Sequence, residues 1–148
     1  MDRKQKYVVG IDEAGRGPIA GPVSVGGVLV RADILAKMKR YDLSGIRDSK
    51  KLTEAKREEW FAKMRKWKKE GKIDFAVSLV SSQFIDRHGI APAIRKGIAN
   101  VLRKLGANPR SVLVLLDGGI KAPEVFTAQK TIIKGDEKEP VIALASIA

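Results

Sequence analysis

Cysteine is absent from this 148-residue chain, and histidine occurs once. The lack of cysteine excludes a disulfide framework, a thiol nucleophile and cysteine-ligated zinc or iron–sulfur sites. The lone histidine, His88, has no second His or Cys with which to bind a transition metal. Long apolar runs are also lacking: residues 112–116 fall far short of the roughly 18 residues that a membrane span needs, and no signal-peptide core follows the charged first residues. We therefore expect a cytoplasmic protein without a membrane partner.

Negative charge is scarce. The chain has 29 Lys and Arg against 17 Asp and Glu, a formal net charge of +12 and a sequence pI of about 10.1. Residues 37–72 alone carry 14 of the basic and 6 of the acidic residues. This excess indicates a polyanionic partner, most often nucleic acid, although a basic stretch can also be a solvated helix face. The length and the 44% hydrophobic content fit one domain with its own core.

The hydrophobic pattern predicts strands followed by alternating helices and strands. Short β-branched or alternating runs predict strands at residues 7–11, 23–30, 74–80 and 112–116, with a weaker one at 131–133. Helical spacing predicts helices near 34–38, from Thr53 to about Gly71, over 90–105 and from 142 onward. This order indicates an α/β fold with a mixed sheet flanked by helices. The last helix has no closing signal, so we expect the chain to be cut short there.

Three carboxylates occupy strand ends. Asp12 and Glu13 follow the first strand, and Asp117 follows the strand at 112–116. If these strands are neighbours, the acids share one sheet edge and repel each other unless a cation lies between them, and oxygen ligands favour Mg²⁺ or Mn²⁺. Adjacent strand residues face opposite sides, so Asp12 and Glu13 serve one site only if the strand breaks, as Gly15 and Gly17 would allow. The alternative is an exposed polar pair that merely ends a strand.

The glycine-rich turn at residues 15–21 satisfies the dinucleotide-binding pattern G-x-G-x-x-A, which would suggest an oxidoreductase. That pattern requires a helix to open at the glycines, whereas Pro18 and Pro22 are followed by the β-rich residues 23–30. Two acids at the strand end would also repel a pyrophosphate. A strand over 23–30 would therefore exclude this function. Gly-Arg-Gly suits close approach of the backbone to a sugar–phosphate chain instead.

Further residues suit nucleic-acid contact. Ser49 and Lys50 precede a helix N-terminus, which is a favourable place to bind phosphate. Trp60 and Trp67 could stack on bases, but their helical spacing places them in the core. His88 is expected to be a cap or surface residue. A non-catalytic nucleic-acid-binding module is therefore the second reading of this chain, and it would not need Asp12.

Residues 9–18, which read V-G-I-D-E-A-G-R-G-P, closely resemble the opening signature of ribonuclease HII, the type 2 ribonuclease H. Later segments resemble that family in the same order: D-S-K-K-L at 48–52, Asp117-Gly118, K-G-D at 134–136 and A-S-I-A at 145–148. The resemblance implies an RNase H-like fold. It also implies a two-metal endonuclease that cuts the RNA strand of RNA–DNA hybrids and single ribonucleotides embedded in duplex DNA.

Residue roles follow from the same resemblance. It implies that Asp12, Glu13 and Asp117 are catalytic, metal-binding carboxylates. It implies contacts to the ribose at an RNA–DNA junction and to the nucleic-acid backbone by a second set of residues: Gly15, Arg16, Gly17, Ser49 and Lys50. A fourth carboxylate is expected after the A-S-I helix, and Asp136 is not assigned to that role because it matches the Lys-Gly-Asp loop. Residues 1–148 are thus expected to form one catalytic domain without its C-terminal helices, with low activity. The resemblance leaves protein partners unknown.

Overall fold

The computed structural model describes residues 5–14, 21–46 and 52–148. They form a five-stranded sheet in the order β3-β2-β1-β4-β5. The strands are β1 (Tyr7–Ala14), β2 (Val23–Arg31), β3 (Ile73–Val80), β4 (Val112–Asp117) and β5 (Gln129–Ile132). β1, β2 and β3 pair in antiparallel fashion, whereas β4 is parallel to β1 and β5 is parallel to β4. The mixed sheet predicted from the sequence is confirmed.

The helices confirm the longer predictions and add two short elements. They are α1 (Ala32–Tyr41), α2 (Glu54–Lys69), α3 (Ser82–His88), α4 (Ile90–Lys104), α5 (Gly135–Lys138) and α6 (Pro140–Ile147). Thr53 caps α2 as predicted, since its hydroxyl accepts a hydrogen bond from the Lys56 amide at 3.1 Å. Helices α3 and α5 are absent from the predictions because a helix of seven residues without a buried face, or of four residues, has no apolar periodicity.

Each face of the sheet carries its own apolar layer because strand side chains alternate between faces. On one face Val8 of β1 packs with α1, α2 and α6, and on the other face Val9 and Ile11 pack with α4. Trp60 and Trp67 are buried in the first layer, as their spacing predicted. The carboxyl ends of β1 and β4 are therefore held between two well-packed layers of helices.

Helix α6 lies directly on the strands at two glycines. A Cβ on Gly10 of β1 would lie 2.5 Å from the backbone carbonyl of Val141 and 2.8 Å from the Ile142 nitrogen. A Cβ on Gly26 of β2 would overlap the carbonyl oxygen of Ala145. These glycines are needed for space, and they let the backbone of α6 approach the sheet more closely than any other residue would allow.

The residues that follow the glycine-rich turn form strand β2, which begins at Val23. The dinucleotide-binding pattern would require a helix after these glycines. The strand that excludes the oxidoreductase alternative is therefore present.

The outer edge of β3 is occupied by side chains. The Asp74 carboxylate accepts a hydrogen bond from the Phe75 amide at 2.8 Å, and the Lys104 ammonium donates to the Val77 carbonyl at 2.7 Å. Within the described residues no helix has the length and apolar character required to cross a membrane.

Candidate active site

The carboxyl ends of β1 and β4 bring two acids together. In the parallel ladder Ile11 is level with Leu116, so the next residues, Asp12 and Asp117, lie side by side. Strand alternation directs both side chains to the face that carries α6, since Gly10 contacts that helix and Ile11 contacts the opposite layer. The proximity predicted from the strand ends is thus confirmed for this pair.

Asp12 is buried, with 6% of its surface exposed. Burial raises the pKa of its carboxyl from 3.8 to about 7, helped by a hydrogen bond with the Asp117 carboxyl and by the negative charges of Asp117 and Asp136, while a hydrogen bond from the Glu13 amide lowers it. Asp12 therefore keeps its proton more readily than an exposed carboxyl does, which avoids the repulsion between two adjacent negative charges. The pair is therefore a place where a positive charge is strongly favoured.

Asp117 is fixed from the side of β5. The Gly118 amide donates to the Ile132 carbonyl at 3.0 Å, which ties the ends of β4 and β5 together. The chain then turns back through Lys134, and the Gly135 amide donates to Oδ1 of Asp117 at 2.7 Å. One oxygen of this carboxyl is thus held by the backbone of α5 while the group also bonds to Asp12.

Asp136 is a third acid at this place, whereas from the sequence it is assigned to the Lys-Gly-Asp loop and not to the carboxylate set. It is 2% exposed on α5, and its charge contributes to the raised pKa of Asp12. No periodic pattern marks it, because it belongs to a four-residue helix. The available signal was positional: β5 is parallel to β4, so an acid shortly after β5 comes to the same sheet edge as Asp117.

Glu13 occupies a different position from Asp12. The antiparallel pairing of β1 continues past it, with Glu13 opposite Val25 and Ala14 opposite Ser24. The strand does not break at the two acids, and alternation directs the half-buried Glu13 away from the Asp12 face. Among the residues that the structure describes, no three His, Cys, Asp or Glu side chains form a group that could hold a metal ion as they stand.

The predicted nucleic-acid contacts fall outside the described residues. Gly15, Arg16 and Gly17 follow Ala14 directly, and Ser49 and Lys50 lie between the buried Ile46 and the helix cap Thr53. The first group is therefore attached to the strand that carries Asp12. The second is attached to the N-terminus of α2.

The donor chemistry of this edge fits a divalent cation. Asp12 and Asp117 are joined by a shared hydrogen bond, and a third buried carboxyl is near enough to act on Asp12 electrostatically. A proton neutralises such a pair in the absence of metal, and a cation can replace it. Carboxylate oxygens are the ligands that Mg²⁺ and Mn²⁺ prefer.

Comparisons with known proteins agree with one another. The family model described as Ribonuclease HII matches residues 9–148. The ribonuclease HII of Caldicellulosiruptor bescii is 39% identical over 147 residues, which are 99% of this chain and 65% of that protein. The ribonuclease HII of Caldicellulosiruptor saccharolyticus is 38% identical over 96% of this chain and 62% of its own length.

A solved structure shares the fold. The ribonuclease H2 of Pyrococcus horikoshii superposes with a TM-score of 0.72 at 28% identity, and the match covers 95% of this chain and 69% of that one. The RNase H-like fold expected from the sequence is confirmed. The chain spans less than two thirds of the length of the two Caldicellulosiruptor relatives.

Proposed function

Because the chain belongs to the ribonuclease HII family, we propose that it provides the catalytic carboxylates of an endonuclease that hydrolyses the RNA strand of RNA–DNA hybrids. We extend the proposal to single ribonucleotides embedded in duplex DNA. The observation that carries it is the buried Asp12–Asp117 pair at the carboxyl ends of adjacent parallel strands. The proposal includes one catalytic domain over residues 1–148, since both apolar layers belong to the same sheet.

Asp12, Glu13 and Asp117 are the proposed ligands of Mg²⁺ or Mn²⁺, and Asp136 joins them as a fourth carboxylate. Bound divalent ions would activate a water for attack on the phosphodiester and stabilise the leaving 3′ oxygen. Asp12 and Asp117 would attract the ions, because a cation relieves the repulsion between two adjacent carboxylates. The proton that Asp12 holds in the absence of metal competes with the cation for this place. Glu13 reaches the ions only if the end of β1 rearranges, since its pairing with Val25 directs it to the other face.

Asp136 bears on the activity expected of this chain. The sequence led us to expect three carboxylates and a low rate. The burial of Asp136 and its electrostatic coupling to Asp12 support a set of four within the 148 residues. We therefore propose that a missing carboxylate does not limit this chain.

We propose that the positive charge of the chain and two short segments, at residues 15–17 and 49–50, bind the nucleic-acid substrate. Gly15, Arg16 and Gly17 are proposed to contact the ribose at the junction, and Ser49 and Lys50 the phosphate backbone. The flanking positions support this: one segment continues from the strand that bears Asp12, and the other precedes the capped N-terminus of α2. Binding should weaken steeply with salt, because phosphate contacts release counterions.

The test is cleavage of a labelled duplex DNA that contains one ribonucleotide, and of a continuous RNA–DNA hybrid, with Mg²⁺ or Mn²⁺. We expect the 148-residue chain to cut both, and we expect Asp12→Asn and Asp136→Asn to lose at least about 100-fold in rate, since each removes a charged group from the reacting centre. Asp86→Asn, on the exposed surface of α3, is the matched control and should cut like the wild type.

Three results separate the readings. Metal-dependent cutting that survives Asp136→Asn but not Asp12→Asn would remove Asp136 from the proposed set. No cutting, together with salt-sensitive duplex binding that Asp12→Asn leaves intact or strengthens, would favour the non-catalytic binding module. Cutting by Asp12→Asn at the wild-type rate would overturn the proposed active site.

A further inference from the structure

We infer that Gly135 is a positioning residue, whose backbone amide and lack of a side chain fix the Asp117 carboxylate for cation binding. The inference rests on the proposed function, and it concerns how one of the proposed ligands is oriented. Its starting point is the contact from the Gly135 amide to Oδ1 of Asp117, at 2.7 Å a short and well-formed hydrogen bond to a carboxylate.

A side chain at position 135 would be crowded by the side chains of Ile142 and Asp117. Gly135 does not adopt a left-handed φ, unlike Gly118 and its neighbour Lys134. A Cβ on Gly135 would lie 2.7 Å from Cδ1 of Ile142 and 3.3 Å from Oδ1 of Asp117. Any side chain would therefore press on the end of the Ile142 side chain from one side and on the Asp117 carboxylate from the other.

The turn before Gly135 aims its amide. Lys134 has φ 53° and ψ 44°, which is the left-handed conformation that non-glycine residues rarely adopt. This residue reverses the chain within two positions of the end of β5, whose Ile132 carbonyl is bonded to the Gly118 amide. The amide that follows is directed back to the end of β4, where Asp117 lies.

The orientation of the Asp117 carboxylate affects two interactions at once. It bonds to the Asp12 carboxyl and is also proposed to bind a cation. Groups that orient a metal ligand change metal affinity about 10- to 100-fold when they are altered. A shift of the Asp117 oxygen that is pressed by a new methyl group should have an effect of that order.

The experiment uses four forms of the full chain: wild type, Gly135→Ala, Ile142→Val and the double variant. The valine removes the Cδ1 atom that the new methyl meets, but it leaves the methyl against Asp117. We measure the urea midpoint without metal and the Mn²⁺ dissociation constant by electron paramagnetic resonance of the free ion. Gly119→Ala is the control, since a Cβ there meets nothing within 4 Å.

We expect Gly135→Ala to lower the urea midpoint and to weaken Mn²⁺ binding about tenfold. In the double variant the midpoint should return towards that of Ile142→Val, while Mn²⁺ binding stays about tenfold weaker. Wild-type Mn²⁺ affinity in Gly135→Ala, or a recovery of affinity together with stability, would make Gly135 a packing residue only and overturn the inference. The proposed metal site would then still stand.

A second measurement addresses the hydrogen bond without any metal. Exchange of the Gly135 amide proton should be slow in the wild-type chain and markedly faster in Asp117→Ala. Equal exchange rates would overturn the inference even where Mn²⁺ binds. If the wild type binds no Mn²⁺, the proposed function fails at its metal site and the inference fails with it, and slow exchange of this proton would then report a structural contact alone.

Discussion

Asp12 of β1 lies opposite Gly26 of β2, and the carbonyl oxygen of Ala145 covers the place where a side chain on Gly26 would be. Asp12 is therefore buried on this side by the backbone of α6 as well as by side chains. The helix presents a carbonyl oxygen at this point, which neither carries a positive charge nor donates a hydrogen bond, so it does not stabilise the ionised form of Asp12. This arrangement explains why burial is the largest cause of the raised pKa of Asp12.

Asp12→Asn should stabilise the metal-free chain, increasingly so at higher pH. The carboxyl has a pKa of 3.8 in the unfolded chain and about 7 in the folded one. Its contribution is therefore favourable below pH 4 and is lost as the pH rises through 7. The neutral asparagine avoids this loss, and we expect a gain of roughly 2–4 kcal/mol at pH 8 and a clearly smaller gain at pH 5.

Urea unfolding in EDTA at the two pH values measures this difference. Asp86→Asn on the exposed face of α3 controls for the change of net charge. A gain for Asp12→Asn that is the same at pH 5 and pH 8 would show that Asp12 titrates in the folded chain as it does in the unfolded one.

A divalent cation should stabilise the wild-type chain at pH 8 and leave Asp12→Asn almost unchanged. A ligand that binds only the folded state raises the free energy of unfolding by RT ln(1 + [L]/Kd), or about 2.7 kcal/mol at 100 times Kd. Thermal midpoints with and without Mn²⁺ measure the effect, and NaCl at the same ionic strength controls for screening. An equal shift in both proteins would mean that the ion binds away from Asp12.

Gly10→Ala should destabilise the fold by about 2–3 kcal/mol, because the methyl would meet the α6 backbone at Val141 and Ile142, which has no side-chain freedom to yield. Gly21→Ala is the matched control: its Cβ meets nothing within 4 Å. Denaturant midpoints of both variants decide the point. A Gly10→Ala chain as stable as Gly21→Ala would show that α6 can move away from β1 at little cost.

Thr53→Ala should lower the stability by about 1 kcal/mol, because the hydroxyl that accepts the Lys56 amide at the start of α2 is lost. Thr53→Ser keeps the acceptor and should retain most of the wild-type stability. Thermal unfolding of the three proteins provides the comparison. A serine variant as unstable as the alanine one would assign the effect to the methyl group of Thr53.

The sheet and the long helices could be predicted because their apolar residues repeat with the periods of strands and helices. The weak strand prediction at residues 131–133 shows the limit of that method. β5 in fact spans Gln129–Ile132, and Gln129 is positioned by hydrogen bonds to Ala122 and Phe126 in the preceding loop. Contacts of this kind depend on how a loop folds back, which no period in the sequence reports.

The site was predictable as far as strand ends determine it. Asp12 and Asp117 could be placed together because adjacent strands end at the same edge. Asp136 was not placed with them: its position shortly after β5 was a signal, but the sequence predicts neither the direction of β5 nor the left-handed turn at Lys134 that brings Asp136 to this edge. The break after Glu13 that the glycines suggested is not present within β1, which remains paired to Ala14.

The order of the strands places Asp12 where the antiparallel and the parallel parts of the sheet meet. β1, β2 and β3 pair in antiparallel fashion within the first 80 residues, whereas Asp117 and Asp136 belong to β4 and α5, on the other side of β1. The charges that raise the pKa of Asp12 therefore come from a part of the chain about 100 residues away, and they act on it only in the folded protein. Folding of the metal-free chain at neutral pH is thus coupled to proton uptake at Asp12.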